Sequence, residues 1–242
     1  MELIIGPKPS CAGNYALLNK QRDAHAEYYA KLIAQDPRIS GRVLDAGAGA
    51  VCPTATWYPI VYDKFGSLDG VDPDPGVLSN TRLINKWNST LEKADVPAGA
   101  YDAAISVNVV EHVFDPTAFL TAIHRALKPG GVYYSQTPHG RHPFSWTVRA
   151  LQATRLKKTV GATVGEFNEY PAVYLLNTIS TVRRHAQAAG FARAEVHLHP
   201  CVNWDRYFPT ALRFVPNAYD FLIGVRSRPF WQQLMFKLEK AK

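Results

Sequence analysis

No stretch of this chain approaches the ~18 consecutive apolar residues that a membrane span needs. The opening residues, Met1-Glu2-Leu3-Ile4-Ile5-Gly6-Pro7-Lys8, lack the n-region, h-region and cleavage pattern of a secretory signal. Cysteine is scarce. Cys11, Cys52 and Cys201 are odd in number, far apart and contain no C-x-x-C pair, so they form no disulfide framework. A reducing, cytoplasmic setting is the expectation. No internal repeat or low-complexity tract is visible. Strong charge bias is missing too: a net charge of +7 permits an anionic substrate, nucleic acid or a membrane surface but selects none. Apolar residues are plentiful, 47% of 242, enough for the core of one large domain.

The apolar patterning alternates strands with helices. Residues 20–35 predict a helix with Ala24, Tyr28, Leu32 and Ile33 on one face. Strands are expected at 42–46, 68–71, 101–107 and 132–136, and a helix at 77–87 behind Pro75. Asp115-Pro116 caps and opens a helix lined by Phe119, Leu120, Ile123 and Leu127, which Lys128-Pro129-Gly130-Gly131 stops. Such alternation implies a parallel sheet. Later, a helix is expected at 178–189, a half-exposed strand at 191–199 and another strand at 221–225, giving an antiparallel edge. The division read from these patterns is one domain, 1–242. It comprises an N-terminal helical segment (1–38), a core (40–138), an insertion covering the ligand end (139–176), the second half of the sheet (177–226) and an amphipathic tail (227–242).

The most informative stretch is Val43-Leu44-Asp45-Ala46-Gly47-Ala48-Gly49. Two glycines at the carboxyl end of a buried strand let the backbone turn sharply against a ligand, where open α/β sheets bind. A phosphate-cradling G-x-G-x-x-G is absent, because Cys52 stands at the third glycine position and Pro53 follows. Asp45 before the glycines suits a cationic or hydrogen-donating ligand. The second strand ends Gly70-Val71-Asp72, where an acid can take both hydroxyls of a ribose. Alternatively Asp72 caps the next helix, a task open to Asp74 as well.

Taken in order, these pieces resemble a class I S-adenosylmethionine-dependent methyltransferase of the ubiquinone-biosynthesis-like branch. The segment 43–49 resembles the family's first motif, 70–72 its second, and 97–108, PAGAYDAAISVN, its fourth-strand motif. Val110-Glu111-His112-Val113 resembles the L-E-H-V signature and 127–131 the turn before strand five. The chain departs from the pattern at Ala50, where glycine is usual, at Thr90, where an acid reaches adenine, and at Val110. The resemblance implies a Rossmann-like α/β fold, a mostly parallel seven-stranded sheet with an antiparallel edge strand and helices on both faces. It implies S-adenosyl-L-methionine as cofactor, with its methionine part held by Asp45, Gly47 and Gly49 and its ribose by Asp72 beside Pro73. The adenine would lie near Thr90 and Leu91, and the methyl-transfer end near Asn108. His112 and His139 are the candidate bases, each with a structural alternative. Glu111 and His112 are too few to claim a metal. The acceptor is expected to be a small molecule or a lipid-linked one, methylated on oxygen. Nucleic acid is disfavoured, because Asn-Pro-Pro-Tyr is absent at 108–111. A nicotinamide-dependent oxidoreductase and a non-catalytic cofactor-binding protein are the alternatives.

Three other patterns carry weaker expectations. His197-Leu198-His199-Pro200-Cys201 places three metal-ligating types at alternate positions, although a solvated strand face explains them too. Arg141, Arg149, Arg155, Lys157 and Lys158 interleave with Phe144, Trp146, Val148 and Leu151 without an acid, fitting a lid helix, an anionic lipid-linked acceptor or RNA. In the tail, Phe230, Trp231, Leu234, Met235 and Leu238 form a stripe opposite Lys237, Lys240 and Lys242, suited to docking on the domain, a dimer partner or a membrane surface.

Overall fold

The computed structural model describes residues 1–242 except 22, 51–60, 62, 154–169, 204, 206, 207 and 209. Eight strands form one sheet: β1 (Glu2–Ile5), β2 (Arg42–Ala46), β3 (Ser67–Asp72), β4 (Lys86–Asn88), β5 (Tyr101–Val107), β6 (Leu127–Pro138), β7 (Arg193–His199) and β8 (Gln233–Glu239). Their spatial order is β1-β7-β8-β6-β5-β2-β3-β4. All pairings are parallel except those of β8, which runs antiparallel to both β7 and β6.

Both faces of the central strands are covered, so β2 and β5 are buried along most of their length. Neighbouring residues of β2 point to opposite sides. Leu44 joins the cluster containing Phe119, Leu120 and Ile123 of α3 (Pro116–Ala126) and Val182 and Ala186 of α5 (Ile179–Ala188). Val43 joins the cluster containing Tyr29, Ala30 and Ile33 of α2 (Ala24–Ala34). The start of α3 follows from its sequence: the Asp115 carboxylate accepts the Ala118 N–H at 3.0 Å, and Pro116 opens the first turn. Thr178 and Thr181 open α5 with a reciprocal capping box. Three helices complete the described set: α1 (Tyr15–Lys20), α4 (Pro143–Ala153) and α6 (Phe214–Tyr219).

The α/β architecture agrees with the expectation, but several elements differ. The sheet has eight strands rather than seven, because 2–5, read as part of a helical segment, pair with β7 at the edge. The antiparallel strand lies inside the sheet, not at its edge, and it comes from the supposed amphipathic tail. Leu234, Met235, Phe236 and Leu238 are all 0–1% exposed. Leu234, Phe236 and Leu238 face the α3/α5 cluster and Met235 faces the α2 cluster. A contiguous apolar run fits a buried strand as well as a helical stripe, and here the sheet decides. Residues 221–225 are not a strand; Asp220–Gly224 form a wide π-helical turn after α6. The expected helix at 77–87 is a 3-10 turn, Pro75–Ser79, followed by β4. β7 is not half-exposed either. Tyr28 of α2 donates to His197 Nδ1 at 2.9 Å, and both His197 and His199 are buried beneath that helix.

Candidate functional site

The turn after β2 has the conformation that its glycines permit. Gly47 and Gly49 both have positive φ, 92° and 54°. The Gly47 amide donates to the Val71 carbonyl at 2.7 Å, tying this turn to the end of β3. A Cβ at Gly47 would overlap Cγ2 of Val109, whereas a Cβ at Gly49 would meet nothing within 4 Å among the described residues. The first glycine therefore admits a neighbouring side chain, and the second faces space that no described residue fills.

Asp72 sits between two turns. Its Oδ2 accepts the Gly49 N–H at 3.0 Å and its Oδ1 accepts the Asp74 N–H at 2.7 Å. Asp74 caps the Pro75–Ser79 turn by accepting the Gly76 N–H at 2.7 Å, so the capping task falls to Asp74 and leaves Asp72 at the glycine turn. Each Asp72 oxygen keeps a lone pair for another donor. Burial pushes its pKa up, and the two amides pull against that. Asn80 completes the cradle, donating from Nδ2 to the Gly49 carbonyl at 3.1 Å. Asp45 is buried at the end of β2. Pro73 is exposed, and its carbonyl accepts from Asn88 Nδ2 at 2.8 Å. Thr90 is exposed, while Leu91 beside it packs its side chain into the α3/α5 cluster, leaving only its backbone near the surface turn.

Asn108 ends β5 in the left-handed region, φ 55°, a conformation that asparagine tolerates better than most residues. Its amide donates to the Gln136 carbonyl at 2.9 Å, placing it beside the end of β6. The following loop is stitched inward. Thr137 donates to the buried Glu111 carboxyl at 2.8 Å, and Asn177 Nδ2 donates to Thr137 Oγ1 at 2.6 Å. The Glu111 carbonyl accepts the Val173 and Tyr174 amides at 2.7 and 3.0 Å. Burial raises the Glu111 pKa. His112 Nδ1 donates to the Pro171 carbonyl at 3.1 Å, an anchoring contact that holds this loop to residues 170–174.

His139, immediately after β6, is almost fully buried. Its Nδ1 donates to the Trp231 carbonyl at 3.0 Å, which fixes the tautomer and leaves Nε2 as an acceptor. Burial lowers its pKa to about 4, so it is neutral near pH 7. Arg149 donates to the Tyr174 carbonyl at 3.0 Å and stacks on the Tyr174 ring. Arg155, Lys157 and Lys158 lie outside the described residues. No group of three potential ligands is placed to hold a metal among the described residues. His199 accepts from Cys11 Sγ and donates to the Pro200 carbonyl, so the His-x-His segment is a buried hydrogen-bonded pair of imidazoles, not a solvated face.

A family model described as a methyltransferase domain matches residues 18–196. The chain belongs to this methyltransferase family. A ubiquinone biosynthesis O-methyltransferase of Dinoroseobacter shibae is 32% identical over 149 residues, covering 57% of this chain and 56% of the relative. A probable S-adenosylmethionine-dependent methyltransferase of Mycolicibacterium smegmatis is 27% identical, covering 51% and 53%. The chain thus spans about half the length of the curated relatives it matches. Among solved structures, a SAM-dependent methyltransferase from Archaeoglobus fulgidus superposes with TM-score 0.54 at 15% identity, covering 94% of this chain and 100% of the other. Phosphoethanolamine N-methyltransferase 2 of Haemonchus contortus, bound to S-adenosyl-L-methionine, gives 0.57 at 14%, covering 90% and 53%. At such identities these two show the fold alone.

In this chain, sequence reasoning overlooked three contributors. Asn80 pins the glycine turn from a position that fell inside the helix expected at 77–87. Val109 fills the space that the missing Gly47 Cβ leaves. Asn177 joins Thr137 to the insertion, and its place just before the Thr178 cap gave no signal of that role.

Proposed function

We propose that the protein transfers a methyl group from S-adenosylmethionine to the oxygen of a small acceptor. The observation that carries this reading is the joined cradle of Gly47, Gly49 and Asp72 at the carboxyl ends of β2 and β3. In it, the space open at Gly49 and the free lone pairs of Asp72 suit the cofactor's methionine and ribose parts. Asp45 attracts the cationic end of the methionine part. Pro73 and the backbone at Thr90 and Leu91 border the adenine, and Asn108 borders the methyl-transfer end. The cofactor supplies a methyl group on a sulfonium centre. The chain's own contribution is alignment of the two reacting centres and exclusion of water, which can lower the barrier by ~7–11 kcal/mol. His112 holds the loop. His139 Nε2, neutral near pH 7, accepts a hydrogen bond from the acceptor's hydroxyl and orients it.

Incubation of extracts with methyl-labelled cofactor, followed by fractionation, tests this. Label in the small-molecule or lipid fraction supports it. Label confined to nucleic acid contradicts it. Cofactor binding with no label in any fraction favours the non-catalytic alternative.

A lipid-linked acceptor reached at a membrane surface is a second reading, supported by one patch. Leu212, Phe214, Val215, Phe221, Leu222 and Ile223 are all exposed around α6, with Arg213 and Arg226 beside them. The tail no longer supports it, since β8 is buried, and among the described residues no helix is long and apolar enough to cross a membrane. Vesicle co-sedimentation with Phe221→Ser/Leu222→Ser should show lost binding. A shift from dimer to monomer without any vesicle binding assigns the patch to a second copy instead.

A further inference from the structure

A groove of about 940 Å³ runs along α5 beside the edge strand β1, away from the glycine turn. Arg141, Arg183, Arg184 and Arg228 line it together with Leu3 and Ile5, and no carboxylate is among its lining residues. Elsewhere in the molecule arginines find acids: Arg38 pairs with Asp36, Arg42 with Asp69, and Arg193 with Glu2. Among the described residues no ion pair joins the four groove arginines to a carboxylate. Arg184 rests instead on the His185 imidazole, donating to Nε2 at 3.0 Å. Arg228 donates to the Gly6 carbonyl, and its buried Nε has no acceptor among the described residues. Four clustered guanidinium groups without a counter-charge repel one another, and an anion among them relieves that repulsion. Their planar forks match phosphate or carboxylate oxygens two at a time. The apolar side of the groove is equally specific. Leu3, Ile5, Ile179 and Leu198 offer hydrocarbon surface, and Ile5 remains 44% exposed.

We propose that this groove binds an amphiphilic organic anion, its phosphate or carboxylate among the arginines and its apolar body along Leu3 and Ile5. His139, which the proposed function turns toward the acceptor, also lines this groove, and the anion site is tested by binding alone, without methyl transfer. Calorimetric titration of the full chain at low salt would use octyl phosphate below its micelle concentration, inorganic phosphate and octanol. Octyl phosphate is expected to bind, with inorganic phosphate and octanol each weaker by about tenfold or more. Arg183→Gln/Arg184→Gln changes only exposed side chains, so it should keep the wild-type melting temperature and weaken octyl phosphate by about tenfold or more. Arg141→Gln, also at an exposed position, should weaken it independently. Octyl phosphate that fails to bind, or binds both variants as tightly as wild type, overturns the proposal. Octanol or inorganic phosphate binding as tightly as octyl phosphate overturns it as well, because charge and chain would then not act together.

Discussion

The amide of Gly49 donates to Oδ2 of Asp72 at 3.0 Å, so the glycine turn after β2 and the acid after β3 form one unit. Asp72→Ala should therefore act twice, removing a ribose acceptor and releasing the turn. Hydrogen bonds to charged groups contribute about 1.5–3 kcal/mol each. Cofactor affinity should fall by about tenfold at least, and the melting temperature should fall too, because the Gly49 and Asp74 amides lose their acceptor. Unchanged affinity by calorimetry would place the cofactor elsewhere.

Gly47→Ala should destabilise the fold itself. The position has φ 92°, and the new Cβ would overlap Val109. Backbone strain of this kind costs on the order of 1–3 kcal/mol. Val109→Ala in the same chain should recover part of the loss, the overlap but not the backbone strain. Urea denaturation of the two single variants and the double variant measures the coupling. Strictly additive losses would mean that the two residues do not share this space.

The glycine turn and the Asp115-Pro116 start of α3 were legible because each rests on local chemistry, whereas the choice between Asp72 and Asp74 as the cap stayed open until the Asp74–Gly76 contact decided it. Two glycines, an Asp-Pro pair and an acid at a strand end mean nearly the same thing in any fold. β8 was not legible: Leu234-Met235-Phe236 fits a helical stripe and a buried strand alike, and only its insertion between β6 and β7 decides. His197 and His199 look wet along β7 and are buried because α2, far away in sequence, lies over them. The arginine groove was invisible for the same reason, since positions 141, 183, 184 and 228 meet only after folding.

Glu111 gives a test of chemistry inside the loop. Its carboxyl is buried, its pKa is raised by that burial, and Thr137 donates to it. Glu111→Gln preserves an acceptor for Thr137 and removes a charge that burial disfavours, so it should cost little. Glu111→Ala leaves the Thr137 hydroxyl without that acceptor and should cost about 1–3 kcal/mol. Chemical denaturation ranks the two variants. A larger loss for Gln than for Ala would show that the charge itself holds the loop.

His139 predicts a pH dependence of stability. Its folded pKa, about 4, lies below the ordinary 6.5. The unfolded chain thus takes up the proton first as pH falls. The stabilising contribution is complete above pH ~6.5 and is lost as pH falls through about 4. His139→Gln should flatten the stability profile across this window by on the order of 3 kcal/mol in total. An unchanged slope in variant and wild type, measured by urea denaturation at several pH values, would show that the imidazole titrates normally.

Cofactor selectivity tests the account most directly. Calorimetric titration of the full chain should show binding of S-adenosylmethionine and of its demethylated product, both weakened by Asp72→Ala, and no binding of NAD. Tight NAD binding without a response to the methyl donor would contradict the account at its centre.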